Sequence, residues 1–191
     1  MRPRVIIVHG WEGSSEEGWF PWLKLNLEKD SIAVTVPIMP HSKKPTMDVW
    51  VNHLKKVVGI PDRKLILVGH SLGCITILRF LETLLPSQQI QSAVLVAGFG
   101  RDLEYPGYKG ELKSFFQRSL DWKKIKNQCK AFIAIHSDND QWVPMECNRL
   151  FVEKLGAKSI ICHNMKHFSG DDGITKLPVV MDLLMSLISS K

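Results

Sequence analysis

Short apolar runs alternate with longer amphipathic stretches along this chain. The short runs are Val5 to Val8, Ile32 to Val36, Lys64 to Val68, Ile90 to Ala97, Ala131 to His136 and Ser159 to Cys162. Their length and their share of β-branched residues predict buried strands. Between them, apolar residues recur every three or four positions. Trp19, Trp22, Leu23 and Leu27 share one face, as do Met47, Trp50, Val51, Leu54 and Val58. The spacing also predicts helices over 72–85, Met145 to Leu155 and Val179 to Ile188. Punctuation agrees with these bounds. Thr46 is a predicted N-cap, Pro86 ends the helix before it, Gly156 is a C′ residue and Pro178 opens the last helix.

From Gly98 to about Gln128 the periodicity loosens. Gly98, Gly100, Pro106, Gly107 and Gly110 mark an irregular excursion, with short helices predicted near Leu112–Arg118 and Trp122–Asn127. Strands alternating with helices imply an α/β fold with a mainly parallel sheet. No repeat, low-complexity tract or linker divides the chain, so residues 1–191 are expected to form one domain. The excursion over 98–128 would be a small lid at the top of the sheet.

Composition narrows the class. Hydrophobic and charged residues make up 45% and 23% of the chain, which is globular rather than disordered. Met1-Arg2-Pro3-Arg4 leads straight into Val5-Ile6-Ile7-Val8, too short for the apolar core of a signal peptide. No apolar run approaches a membrane span. Cys74, Cys129, Cys147 and Cys162 are widely spaced, so neither a disulfide framework nor a zinc site is expected, and a reducing cytoplasm is the default. The net charge of +6 raises a nucleic-acid partner. Its lysines are scattered pairs at 43–44, 55–56 and 123–124, separated by acidic residues and without a nucleic-acid motif, so a solvated surface is the simpler account.

The chemistry centres on Lys64 to Gly73. A strand-like run leads into Gly69-His70-Ser71-Leu72-Gly73, and a helical stretch follows. Strand, Gly-x-Ser-x-Gly and helix in that order form a nucleophile elbow, which lifts a serine hydroxyl to the top of a sheet. An ordinary strand-to-helix loop with a serine N-cap is the alternative. A serine hydroxyl needs a histidine to take its proton and a carboxylate to orient that histidine, here in the order Ser, Asp, His. The carboxylate should follow the strand ending at His136, where Asp138 and Asp140 compete. Asp140 precedes Gln-Trp-Val-Pro, similar to the hydrolase pattern Asp-x-x-Val-Pro, and is favoured; Asp138 would cap its own loop.

The base should follow the last strand, where His163 and His167 compete. His167, on the loop beyond, is favoured, and His163 would be structural. Two N–H donors must meet the developing oxyanion. Leu72, after the nucleophile, supplies one; the loop His9-Gly10-Trp11 supplies the other through the Trp11 amide. His9 would brace that loop, and His70 would pack. Trp11, Trp142 and Phe168 flank these positions and are candidates either for an acyl pocket or for plain core packing. Cys74 would be a small buried residue. His163 and His167 stand four apart but lack the HExxH context of a metal site, so no metal and no cofactor is expected.

Gly-Trp-Phe-Pro-Trp-Leu at 18–23, Gly-His-Ser-Leu-Gly at 69–73, Asp-Gln-Trp-Val-Pro at 140–144 and His-Phe at 167–168 together resemble one family. It is the small α/β-hydrolases typified by retinoblastoma-binding protein 9 and its short bacterial relatives. The resemblance covers nearly the whole chain. It implies about six parallel strands in the order 2-1-3-4-5-6, helices on both faces and a modest lid. It also implies Ser71, Asp140 and His167 as the triad and action on small esters or amides without fixing the substrate. The main expectation is a serine hydrolase acting on a carboxylic ester, thioester or amide. A catalytically silent binding or signalling protein on the same fold is the rival expectation.

Overall fold

The computed structural model describes residues 3–103 and 109–189. Six strands form one parallel sheet: β1 (Arg4–Val8), β2 (Ala33–Thr35), β3 (Leu65–His70), β4 (Ile90–Val96), β5 (Cys129–Ser137) and β6 (Lys158–Cys162). Their spatial order is β2-β1-β3-β4-β5-β6. The helices are α1 (Phe20–Lys29), α2 (Met47–Val58), α3 (Leu72–Leu81), α4 (Trp122–Asn127), α5 (Glu146–Leu155) and α6 (Pro178–Ser189).

The two-residue period of a strand sends alternate side chains to opposite faces, and here both faces are covered. Ile6, Val8, Leu65, Leu67, Ala93, Leu95, Phe132 and Ala134 pack toward α2, α3, α4 and α5. Val5, Ile7, Ile66, Val68, Val94, Val96, Ile133 and Ile135 pack toward α1 and α6. That is why the central strands read as continuous apolar runs. β6 pairs with β5 at the end of the strand order and keeps Ile161 39% exposed, and among the described residues no strand covers its outer edge.

The chain departs from its pattern in three places. The helix begun at Leu72 stops at Leu81 rather than at 85. Thr83 and Leu84 amides bond back three residues, to Phe80 and Leu81, and the Thr83 hydroxyl also donates to Phe80 O. Competition by that hydroxyl for a helix carbonyl favours the tight turn. Thr46 takes the N-cap position of α2 but makes no side-chain cap bond. The Met47 amide instead donates to Ser114 Oγ at 3.1 Å, from the irregular excursion. The short helix predicted at 112–118 is a 3-10 turn over Lys113–Phe115.

The excursion is tied to α3 through a buried cation. Arg79 is 1% exposed, donates to the carbonyls of Phe115, Arg118 and Ser119, and pairs with Glu82 at 2.8 Å. Glu82 in turn accepts from the Asp121 amide and from Arg118. Pro106 and Gly107, two of the turn signals, lie outside the described residues.

Candidate active site

Ser71 sits between β3 and α3 with φ 53° and ψ −117°. A non-glycine residue held there stores about 1–3 kcal/mol of strain. The surroundings enforce it. A Cβ on Gly69 would lie 2.7 Å from the Cys74 nitrogen, and one on Gly73 would lie 2.1 Å from the Val8 carbonyl oxygen. Only hydrogen at both positions lets strand and helix meet so closely. The Ser71 amide donates to Val96 O at 2.9 Å, which anchors the turn to β4. Leu72 is the first residue of α3, where backbone N–H groups have no intrahelical partner and the helix end is electropositive.

Two carboxylate–histidine pairs stand on the loops after β5 and β6. Asp140 Oδ2 lies 2.9 Å from His167 Nδ1, with 0% and 14% of the respective side chains exposed. The other Asp140 oxygen accepts from the Trp142 and Val143 amides at 2.8 and 3.0 Å. Facing a carboxylate, Nδ1 of His167 carries the proton and leaves Nε2 as the basic nitrogen. Asp138 pairs with His163 Nδ1 at 2.5 Å, and here 41% and 80% of the side chains are exposed. Asp138 does more than bond its own backbone, as its short polar side chain suggested; it also crosses to the β6 loop and accepts from the Asn164 amide at 3.0 Å. That N–H, followed by the His163 ring, holds its pKa below the usual carboxylate range.

The loop bearing His167 is strained and laced from outside. Asn164, Lys166 and Phe168 all have positive φ. Successive amides point at side chains: Asn164 at Asp138, Met165 at Ser137 Oγ, Lys166 at Asn139 Oδ1 and His167 at Asp172 Oδ2. Sequence reasoning passed over Ser137, Asn139 and Asp172. For Ser137 and Asn139 the available signal was the run of short polar residues beside Asp140, each able to cap an amide. Burial pushes the Asp172 carboxyl up, but hydrogen bonds from Ser169 and His167 outweigh it and hold the pKa below its ordinary value.

Three further histidines are buried, and burial lowers the pKa of each. His9 accepts from the Met39 amide at Nε2 and donates from Nδ1 to Gly10 O. It thereby braces the β1 loop against the turn after β2. His136 donates from Nε2 to Gly98 O and receives Asn148 at Nδ1. The Cys74 thiol is fully buried and its pKa is pushed well up, so it is no thiolate.

Ser71 and His167 line one cleft of about 630 Å³. Leu72, Phe99, Leu103, Leu112 and Val143 form an apolar wall, with Trp142 at the rim and 43% exposed. Glu12, Glu17, Ser169 and Asp171 supply polar lining, and among the described residues no lysine or arginine lines the cleft. Burial raises the Glu17 pKa, and the nearby Asp171 charge adds to the rise. Trp11 also lines the cleft, its indole donating to Lys43 O at 3.3 Å. The neighbouring Glu12 and Gly13 amides are engaged by Ser42 O and Gly10 O, and the Trp11 amide has no partner among the described residues.

Phe168 does not line the cleft. Its side chain is 0% exposed, packed in the core on the α1 and α6 side, because its positive φ turns the chain back inward. Its carbonyl accepts from the Trp19 indole at 3.0 Å. Among the described residues, no group of three or more His, Cys, Asp or Glu is placed to hold a metal ion.

A family model described as serine hydrolase matches residues 5–186. The chain belongs to the serine hydrolase family. YdeN of Bacillus subtilis (strain 168) is 36% identical to it over 191 residues, covering 100% of this chain and 99% of YdeN. Serine hydrolase RBBP9 of Rattus norvegicus is 27% identical over 185 residues, 95% of each chain. The crystal structure of the B. subtilis ydeN gene product superposes with a TM-score of 0.92, covering 98% of this chain and 100% of that one. Est1E of Butyrivibrio proteoclasticus, 17% identical with a TM-score of 0.75, covers 99% of this chain and 89% of its own and shares the fold. Membership in the serine hydrolase family supports a hydrolase activity, and no helix among the described residues is long and apolar enough to cross a membrane.

Proposed function

We propose that this serine hydrolase cleaves small carboxylic esters, thioesters or amides through Ser71, His167 and Asp140. The observation that carries this is the buried Asp140–His167 pair opening on the same cleft as the strained Ser71. His167 Nε2 takes the Ser71 proton as Oγ attacks the carbonyl carbon. The Leu72 and Trp11 amides receive the oxyanion. His167 returns the proton to the leaving alcohol, thiol or amine, and the acyl group stays on Ser71. Water, deprotonated by His167, then releases the acid and restores the serine. Asp140 keeps the proton on Nδ1 and stabilises the imidazolium. No cofactor enters these steps.

The apolar and the polar lining suggest how a substrate lies. The apolar wall suits the acyl group. A leaving group must sit within reach of His167, on the side of Ser169, Asp171 and Glu17. Negative charge there favours neutral or cationic leaving groups over phosphate-bearing ones. The four cysteines are free thiols, in keeping with a reducing cytoplasm.

A fluorophosphonate probe tests the reading. It should label the wild-type protein at Ser71, and Ser71→Ala and His167→Ala should lose the label. No labelling of wild type would favour a binding protein on this fold, and equal labelling of the variants would place the nucleophile elsewhere.

A further inference from the structure

His167 is held at each of its polar groups except the one that reacts. Asp140 takes Nδ1, and Asp172 takes the backbone N–H. The carbonyl is the third, and it accepts a bond of 2.7 Å from His70 Nε2. His70 is the residue before Ser71 and the last of β3. A carbonyl can only accept, so Nε2 carries the proton and Nδ1 is the bare nitrogen. That Nδ1 is buried and has no partner among the described residues. The ring is wedged between Trp19, Phe20 and His167, with centroids 6.2, 6.1 and 5.0 Å away.

The geometry points to His70 as a positioning residue that fixes the base loop relative to the nucleophile elbow. The bond joins two segments far apart in sequence through the residues next to and at the proposed reacting groups. It therefore sets the distance between Ser71 and His167 from a residue that borders the cleft with only 3% of its surface exposed. The loop needs such a restraint, because residues flanking His167 hold positive φ and would relax otherwise. Stability alone does not account for this histidine. An apolar side chain would avoid both the desolvated ring and the orphaned Nδ1, each of which is unfavourable. Burial lowers its pKa to about 3, so the ring is neutral and donates from one nitrogen only.

This inference rests on the acyl-transfer reading, and the test separates the two. Gln at position 70 can place an amide N–H near the Nε2 position, whereas the shorter Asn reaches only that of Nδ1. His70→Gln, His70→Asn and Ser71→Ala are assayed on p-nitrophenyl butyrate beside wild type. His70→Asn should lose roughly tenfold to a hundredfold in kcat with KM nearly constant, as misplacement of a reacting group does. His70→Gln should recover most of the loss, with the two melting temperatures alike. Hydrogen exchange in the 163–169 segment should rise in His70→Asn and stay near wild type in His70→Gln. The exchange measurement needs no turnover, so it tests the positioning even if wild type is inactive, an outcome that would count against the hydrolase reading alone. Equal kcat or equal exchange in the Gln and Asn variants would overturn the role of His70.

Discussion

Asp140–His167 and Asp138–His163 are the same two residue types on the same two loops, a few residues apart. Both are paired, at 2.9 and 2.5 Å. What differs is water. The Asp140 carboxylate is fully buried, with its second oxygen fixed by the Trp142 and Val143 amides. The Asp138 pair is open to solvent, where an ion pair contributes little and salt screens it. Hydrogen-bond distance alone would favour the Asp138 pair. Both carboxylates have the second oxygen held by backbone N–H groups, so burial is what marks the pair that can hold a tautomer. Among the described residues only that pair reaches the cleft with Ser71, through His167.

The contrast is open to direct attack. The largest effect should follow exchange of the two histidines for alanine. His167→Ala should lower kcat on a small ester by roughly 10³–10⁴-fold or more, because it removes the proposed general base. His163→Ala should stay within about threefold, as a surface pair does. A loss of similar size in His163→Ala would show that exposure does not separate the pairs.

A second test asks whether burial acts on histidines as claimed, using stability rather than rate. The His70 pKa is 6.5 when unperturbed and about 3 in the folded chain. Below pH 6.5 the unfolded chain binds a proton at His70 that the folded chain does not. Its contribution is therefore complete above that pH and declines as the pH falls toward 3. Between pH 7 and 5 the decline is about 2 kcal/mol. Urea unfolding at both pH values should show a drop smaller by about 2 kcal/mol in His70→Gln than in wild type. Equal drops would mean that His70 is not kept neutral by burial.

A smaller effect should come from the lacing of the base loop. Asn139 Oδ1 accepts from both the Lys166 amide and the Ser137 hydroxyl. Asn139→Ala should cost about 1–2 kcal/mol of stability, and kcat should fall about tenfold. Thermal unfolding and steady-state kinetics read both. A variant of full kcat would confine Asn139 to loop packing. The smallest effect belongs to the exposed pair's own titration. The Asn164 amide and His163 hold the Asp138 carboxyl low, so what this pair contributes is present above pH ~4 and lost as the pH falls through the lowered value. An NMR titration should place its midpoint below that of a free aspartate, and added salt should move it up.

Much of the fold was legible because strands buried on both faces and helices buried on one leave unambiguous periods in the sequence. β1, β3, α2 and α5 are such elements. What periodicity cannot show is a cap supplied from afar, such as Ser114 on α2, or a helix cut short by a hydroxyl, such as Thr83 after α3. The elbow was legible because two glycines and a serine are required within five residues. The pairing of Asp138 with His163 was not, since aspartates two apart in sequence differ only in tertiary burial. Phe168 was read as a pocket candidate because it adjoins His167; a backbone φ of 57° turned it into the core, and no residue pattern carries that angle. Asp172 was missed because it acts from beyond the loop it holds.

The central claim is that the buried carboxylate, not its exposed neighbour, orients the base for Ser71. The most direct measurement is kcat/KM on one small ester for Asp140→Asn and Asp138→Asn, two changes that keep side-chain shape and remove charge. Asp140→Asn should fall by roughly 10³–10⁴-fold while Asp138→Asn stays within about threefold of wild type. Equal losses, or a larger loss in Asp138→Asn, would contradict it.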